Sequence, residues 1–161
     1  MNADEIAKGL SPFQPKKVAF EAGRIMLNRI DELFKSQENF AFETTLATKT
    51  YNQKIKFAKE NDYNTTLLFF WLRNSNLAKE RVKTRVKEGG HNIPTEVIER
   101  RYISGIKNLF DIYLEIVDQV LIFDNSEGKP ILIADKNFGE EIIIHNLEQF
   151  NDLKSYYDKR S

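Results

Sequence analysis

Three acidic residues and a group of arginines have the types and spacing needed to move a proton and to hold a phosphate. Asp4 and Glu5 open a helical stretch near the chain start. Negative charge at a helix N-terminus is favoured by about 0.3–1 kcal/mol, so capping is one reading. The other is a carboxylate that accepts a proton from a substrate hydroxyl. Glu43 closes a short apolar run and is followed by Thr44 and Thr45. A glutamate is seldom buried without a partner, so Glu43 either pairs with an arginine or binds substrate or magnesium. The two threonines either bind substrate hydroxyls or cap the helix that follows.

Arg81, Arg85, Arg100 and Arg101 bracket the loop Gly89-Gly90-His91. Guanidinium groups around a flexible loop could act as a lid that neutralises a transferring phosphoryl group. The plain alternative is two solvated helix faces with salt bridges to Glu80, Glu88, Glu96 and Glu99, each worth under about 1 kcal/mol. His91 reads as a loop hydrogen-bonding group, and His145 as a surface or satisfied core residue. Neither has a second histidine or a carboxylate at metal-ligand spacing, so no zinc site is expected.

These groups belong to a chain of 161 residues, enough for one domain with a real core. Lysine plus arginine and aspartate plus glutamate both total 24, so net charge points to no nucleic-acid or membrane partner. The sequence has no cysteine, which excludes disulfides, thiolate metal sites and a cysteine nucleophile and fits a reducing cytoplasm. The acidic start lacks the order of a signal peptide, and the longest apolar run, Leu67 to Leu72, is far short of a membrane span.

The elements that must position these residues follow from periodicity. A helical turn over 3–10 is followed by Pro15, suited to a first helical position, and by a long amphipathic helix to about residue 36. Residues 39–45 read as a short buried strand and 48–61 as a polar helix. Residues 65–72 are uniformly apolar, β-branched or aromatic, the pattern of a strand buried on both faces and hence of a parallel sheet. Asn74-Ser75 can cap a helix over 76–88, and a second helix is expected over 95–117. Strands follow at 120–124, at 131–134 and over 141–144, with a closing helix over 146–158. Alternating strands and helices predict an α/β fold with a mainly parallel sheet, whose ligands sit beyond the carboxyl ends of the strands.

Three segments carry a resemblance. Asn2-Ala3-Asp4-Glu5-Ile6-Ala7-Lys8-Gly9-Leu10-Ser11-Pro12 comes first, then Phe40-Ala41-Phe42-Glu43-Thr44-Thr45-Leu46. The third is Arg85-Val86-Lys87-Glu88-Gly89-Gly90-His91-Asn92-Ile93-Pro94, with Arg100-Arg101-Tyr102 following. Together, over about residues 2–135, they resemble the zeta-toxin-like family of P-loop kinases. The resemblance implies a three-layer kinase fold, with a mainly parallel sheet flanked by helices. It implies one domain over 1–161, with lid-like helices and the Gly-Gly-His loop at 76–117. By the same resemblance Asp4 is the general base and Glu43, Thr44, Thr45 and Arg24 bind substrate. Arg81, Arg85, His91, Arg100 and Arg101 serve the phosphate and the lid, with Arg85 and Arg100 as the catalytic pair. The implied reaction passes a phosphoryl group from ATP, with Mg2+, to the hydroxyl of a small molecule, such as the nucleotide sugar UDP-N-acetylglucosamine. The family also implies a small helical antitoxin as partner.

The family's N-terminal strand, Gly-x-x-x-x-Gly-Lys-Ser/Thr loop and following helix have no counterpart in these residues. That loop supplies backbone donors, the phosphate lysine and a magnesium hydroxyl. Losing one preorganised donor to developing charge costs about 2.7–4 kcal/mol, so the isolated chain is expected to bind no ATP and to be inactive. Two apolar strand edges would also be left open, a route to a homo-oligomer or to pairing with an N-terminal segment. The alternatives are a non-catalytic, substrate-binding or interaction remnant of the family, or a plain structural domain.

Overall fold

The computed structural model describes residues 1–88, 90 and 92–158. Gly89 and His91, and with them part of the expected lid loop, lie outside the described residues. The chain divides into two compact units, Met1–Thr44 with Gly90, and Thr45–Glu88 with residues 92–158.

In the first unit, Asn2 caps α1 (Ala3–Leu10) by accepting a hydrogen bond from the Asp4 amide. Ser11 ends α1, and a 3-10 turn over Pro15–Val18 leads into α2 (Ala19–Lys35). The turn starts at Pro15, whose fixed φ and missing N–H suit a helix start. Ala22, Met26, Ile30 and Leu33 fall on one stripe of α2 and are buried, as is Ala7 of α1.

Residues 39–44 form no strand, contrary to the sequence reading. Met1 bonds to them without a ladder: its ammonium donates to the Ala41 carbonyl at 2.6 Å, and its own carbonyl accepts from the Glu43 amide at 2.9 Å. Phe40 packs edge-on against Phe34 at 5.1 Å. A ring contact of this kind consumes an apolar side chain without needing a ladder. Glu43 is exposed rather than the end of a buried strand.

The second unit holds a four-stranded sheet in the order β1 (Thr66–Trp71), β2 (Gln119–Asp124), β3 (Ile131–Asn137), β4 (Ile143–Ile144). β1 and β2 are parallel, from Thr66 opposite Gln119 to Trp71 opposite Asp124. β2–β3 and β3–β4 are antiparallel, so the sheet is mixed rather than mainly parallel. The links after β2 and β3 are too short for a crossover and force hairpins. Gly128, at φ +84°, turns the first of them. α3 (Thr50–Glu60) precedes β1, while α4 (Ser75–Lys87) and α5 (Thr95–Asn108) lie between β1 and β2. The expected helix over 95–117 is interrupted: α5 passes into a π-helix at Leu109–Tyr113 and a last turn, α6 (Leu114–Ile116). α7 (Leu147–Asp158) closes the unit.

The core joins Trp71, Val120, Ile122, Ile133 and Ala134 of the sheet to Ile106, Leu109, Tyr113, Phe150 and Leu153 of the helices. It covers one face of β1. On the other face Leu68 is 52% and Phe70 50% exposed, so the expected burial on both faces does not hold. Ile106 of α5 and Phe150 and Leu153 of α7 join one and the same core cluster with the sheet.

Candidate functional site

In the first unit Asn2 ties the two acidic segments together. Its side-chain carbonyl accepts from the Asp4 amide at 2.8 Å, and its Nδ2 donates to Glu43 Oε2 at 2.8 Å. The Glu43 amide bonds the residue next to Asn2. Asp4 and Glu43, far apart in sequence, thus share one bridging side chain at the start of α1. Glu5 takes the plain role instead, in an exposed ion pair with Lys8 at 2.6 Å. Arg24 is exposed on α2, and Thr44 is exposed beside Glu43.

The second unit holds Thr45 and the four arginines. Arg81, on α4, donates from Nη2 to the carbonyl of Asn125, just past β2. Arg85 is exposed in the last turn of α4, and Arg100 and Arg101 are exposed on α5. Glu99, one of the salt-bridge partners open to the arginines, pairs with Lys79 and links α4 to α5.

Thr45 itself is exposed, but the backbone after it is clamped. The Thr45 carbonyl oxygen sits where a Cβ on Gly105 would come within 2.7 Å. The Leu46 carbonyl accepts from Asn108 Nδ2 at 2.8 Å, and the Thr48 carbonyl accepts from the Tyr113 hydroxyl at 3.3 Å.

One polar cluster escaped the sequence reading. The parallel pair β1 and β2 ends at Trp71 and Asp124, where ligand sites of such sheets form. Asp124, only 3% exposed, accepts from the Ser126 amide at 2.8 Å, the Ser126 hydroxyl, Gln149 Nε2 at 2.8 Å and Arg73 Nη2 at 3.5 Å. Attraction to Asp124 comes first among the causes that raise the Arg73 pKa, so this guanidinium stays charged. The Arg73 amide donates to Ser126 Oγ at 2.9 Å, and its carbonyl accepts from the Tyr156 hydroxyl at 3.0 Å. The signal was present: Asp124 ends an apolar run as Glu43 does, and a carboxylate there needs partners.

His145 is half-exposed and pairs through Nε2 with Asp135. Among the described residues no three histidine or acidic side chains group as a metal site, and no helix is long and apolar enough to cross a membrane.

Comparison with known proteins gives this arrangement a family. The zeta toxin family model matches residues 10–136. The chain belongs to the zeta toxin family. The matched stretch begins beyond Asp4 and includes Glu43, Thr44, Thr45 and all four arginines. Zeta toxin membership points to a kinase-like function, and the family binds ATP in general. An uncharacterized protein of Haemophilus influenzae (strain ATCC 51907 / DSM 11121 / KW20 / Rd) is similar to this chain. It is 30% identical over 102 residues, which cover 63% of this chain and 73% of that protein. No solved structure matches.

Proposed function

We propose that this chain carries the hydroxyl-substrate part of a zeta-toxin-like kinase, acting on a nucleotide sugar such as UDP-N-acetylglucosamine. Asp4 takes the proton of the substrate hydroxyl, leaving its oxygen able to attack a phosphoryl group. Glu43, Thr44, Thr45 and Arg24 bind the substrate. Arg85 and Arg100 offset the charge of the transferring group, with Arg81, Arg101 and His91 in support. The observation that carries this reading is the Asn2 side chain, which bonds both the Asp4 amide and the Glu43 carboxylate. A mere helix cap needs only the first of those bonds.

The residues present do not fit ATP with Mg2+. They contain no Gly-x-x-x-x-Gly-Lys-Ser/Thr, the loop that supplies the backbone cradle, the phosphate lysine and the magnesium hydroxyl. On this reading the 161 residues supply the substrate side of the reaction and not the triphosphate cradle. The open edge of β1 is where a further parallel strand could pair, extending the sheet toward the three-layer kinase arrangement. Calorimetry tests both halves. UDP-N-acetylglucosamine should bind the chain and should bind Glu43→Gln at least tenfold more weakly. Equal binding by the variant would overturn the substrate role. ATP–Mg2+ binding at micromolar strength would overturn the claim about the cradle.

A second reading, a non-catalytic interaction protein, has one observation in its favour. Leu68 and Phe70 present apolar side chains beside the edge of β1 that pairs with no strand among the described residues. The partner would be a second copy or an antitoxin-like protein.

A further inference from the structure

Thr45 has two neighbours in the fold that look wasteful unless its position matters. The first is Gly105, inside α5, where glycine costs about 1 kcal/mol relative to alanine. An alanine Cβ there would lie 2.7 Å from the Thr45 carbonyl oxygen, closer than real contacts allow. The contact is with backbone, so the chain at Thr45 would have to move. The second is Asn108, a polar residue only 6% exposed, whose Nδ2 is spent on the Leu46 carbonyl at 2.8 Å.

Leu46 adds an independent sign. Its φ is +59°, a left-handed conformation that costs a non-glycine residue about 1–2 kcal/mol. Such a residue persists only where its surroundings over-determine it, and these residues gather at ligand clamps. Here the surroundings are explicit. The Leu46 side chain is buried in the core with Trp71, Ile106 and Leu109, and its carbonyl is held by Asn108. The π-helix begins directly after Asn108, and π-turns inside α-helices recur at functional sites. It carries Tyr113, whose hydroxyl holds the Thr48 carbonyl at 3.3 Å. Three successive features of one helix therefore grip the backbone of residues 45–48.

We infer that Gly105 and Asn108 are positioning residues for Thr45: they fix the backbone that presents its exposed side chain to substrate. This inference rests on the proposed role of Thr45 in substrate binding. Gly105 admits the loop close to α5, and Asn108 locks the carbonyl of the strained residue that follows Thr45.

The test compares Asn108→Leu, which keeps the volume but removes the donor, with Gly105→Ala, which keeps the donor but displaces the loop. Leu153→Val is the control, a core change on α7 that alters none of the three contacts to residues 45–48. Backbone amide resonances of residues 45–48 are followed by NMR, and affinity for UDP-N-acetylglucosamine by titration. Both test variants should shift or broaden the 45–48 resonances and weaken binding at least tenfold, while the control alters thermal stability without altering affinity. Unchanged 45–48 resonances in both variants would overturn the inference. So would a displaced loop with unchanged affinity, which would leave the contacts purely structural. If wild type binds no UDP-N-acetylglucosamine, the substrate reading fails first and takes the positioning role with it. The resonances then report a structural clamp alone, so the two failures are told apart.

Discussion

Replacing Tyr102 by phenylalanine should destabilise the sheet-bearing unit by about 2 kcal/mol. The Tyr102 hydroxyl accepts from Trp71 Nε1 at 3.0 Å and donates to the Leu72 carbonyl at 2.7 Å. Phenylalanine keeps the ring, and with it the edge-on contact to Tyr156 at 5.3 Å. Trp71 is 1% exposed, so its N–H is left with no partner and no water, at a cost of about 1–3 kcal/mol. The Leu72 carbonyl is half-buried and recovers part of its bond from solvent, which adds at most about 1 kcal/mol. A loss near 2 kcal/mol lowers the folding equilibrium roughly thirtyfold and moves the urea midpoint by about 1 M. Trp71 is the sole tryptophan, so its fluorescence reports this site directly during urea unfolding. Tyr156→Phe serves as the comparison. Its hydroxyl donates to the Arg73 carbonyl in an exposed setting, where water can replace it, so the loss should stay below about 1 kcal/mol. A Tyr102→Phe midpoint within error of wild type would refute the reasoning, because it would mean that Trp71 does not depend on this hydroxyl.

Further outcomes follow from the same contacts. Asp118 Oδ2 accepts from the Thr65 amide at 2.8 Å and hydroxyl at 2.7 Å, and Lys59 lies 3.2 Å from Oδ1. Asp118→Ala should therefore cost about 2 kcal/mol in thermal or urea unfolding. Burial raises the Asp118 pKa, but the Thr65 bonds and Lys59 outweigh it and leave it below its ordinary value. Its stabilising contribution is therefore complete above about pH 4 and disappears as pH falls through the lower folded value, a loss absent from Asp118→Ala. Burial pushes the Tyr113 hydroxyl up to about 12. Both states keep the proton below about pH 10; above it the unfolded chain releases it first, so stability falls as pH rises. Urea midpoints from pH 8 to 11 should show that fall, and Tyr113→Phe should make it shallower, since burial also raises the Tyr102 hydroxyl, whose contribution remains. Leu68→Lys puts a charge beside the open edge of β1 and should leave a monomer wherever wild type self-associates, as read by sedimentation.

The elements that were legible share a local cause. The Asn74 side chain accepts from the Leu77 amide at 3.0 Å and starts α4 where the sequence placed a cap. The run 65–72 forms β1, and the apolar stripe after Pro15 forms α2. Local chemistry decides each of these. The site was legible only in part, because its parts depend on residues remote in sequence. Phe40 and Phe42 read as strand because a short apolar run carries no information on whether a ladder partner exists. Gly105 reads as a weak helix position until the Thr45 carbonyl is brought against it. The π-helix at Leu109–Tyr113 has no periodic signature, since one inserted residue changes the spacing only once. Asp124 reads as the end of a strand until Ser126, Gln149 and Arg73 converge on it.

β1 shows how a failed expectation carries information of its own. Its composition is that of a strand covered on both faces, yet only alternate residues are covered. The carbonyls of Thr65 and Trp71 accept from Gln119 and Asn125 on the β2 side, at 3.1 and 2.8 Å. With a period of two, Thr66, Leu68 and Phe70 must then direct their backbone groups away from β2, and their side chains share the face opposite the core. The open edge and the open face thus belong to the same three residues. Phe70 recovers some contact by stacking on Phe123 at 5.2 Å, but Leu68 remains more than half exposed. An adjacent strand would satisfy the backbone groups, and whatever covered that strand would also reach Leu68 and Phe70. The kinase reading proposes a further strand at β1 and the interaction reading a partner chain, so the identity of what pairs there discriminates between them.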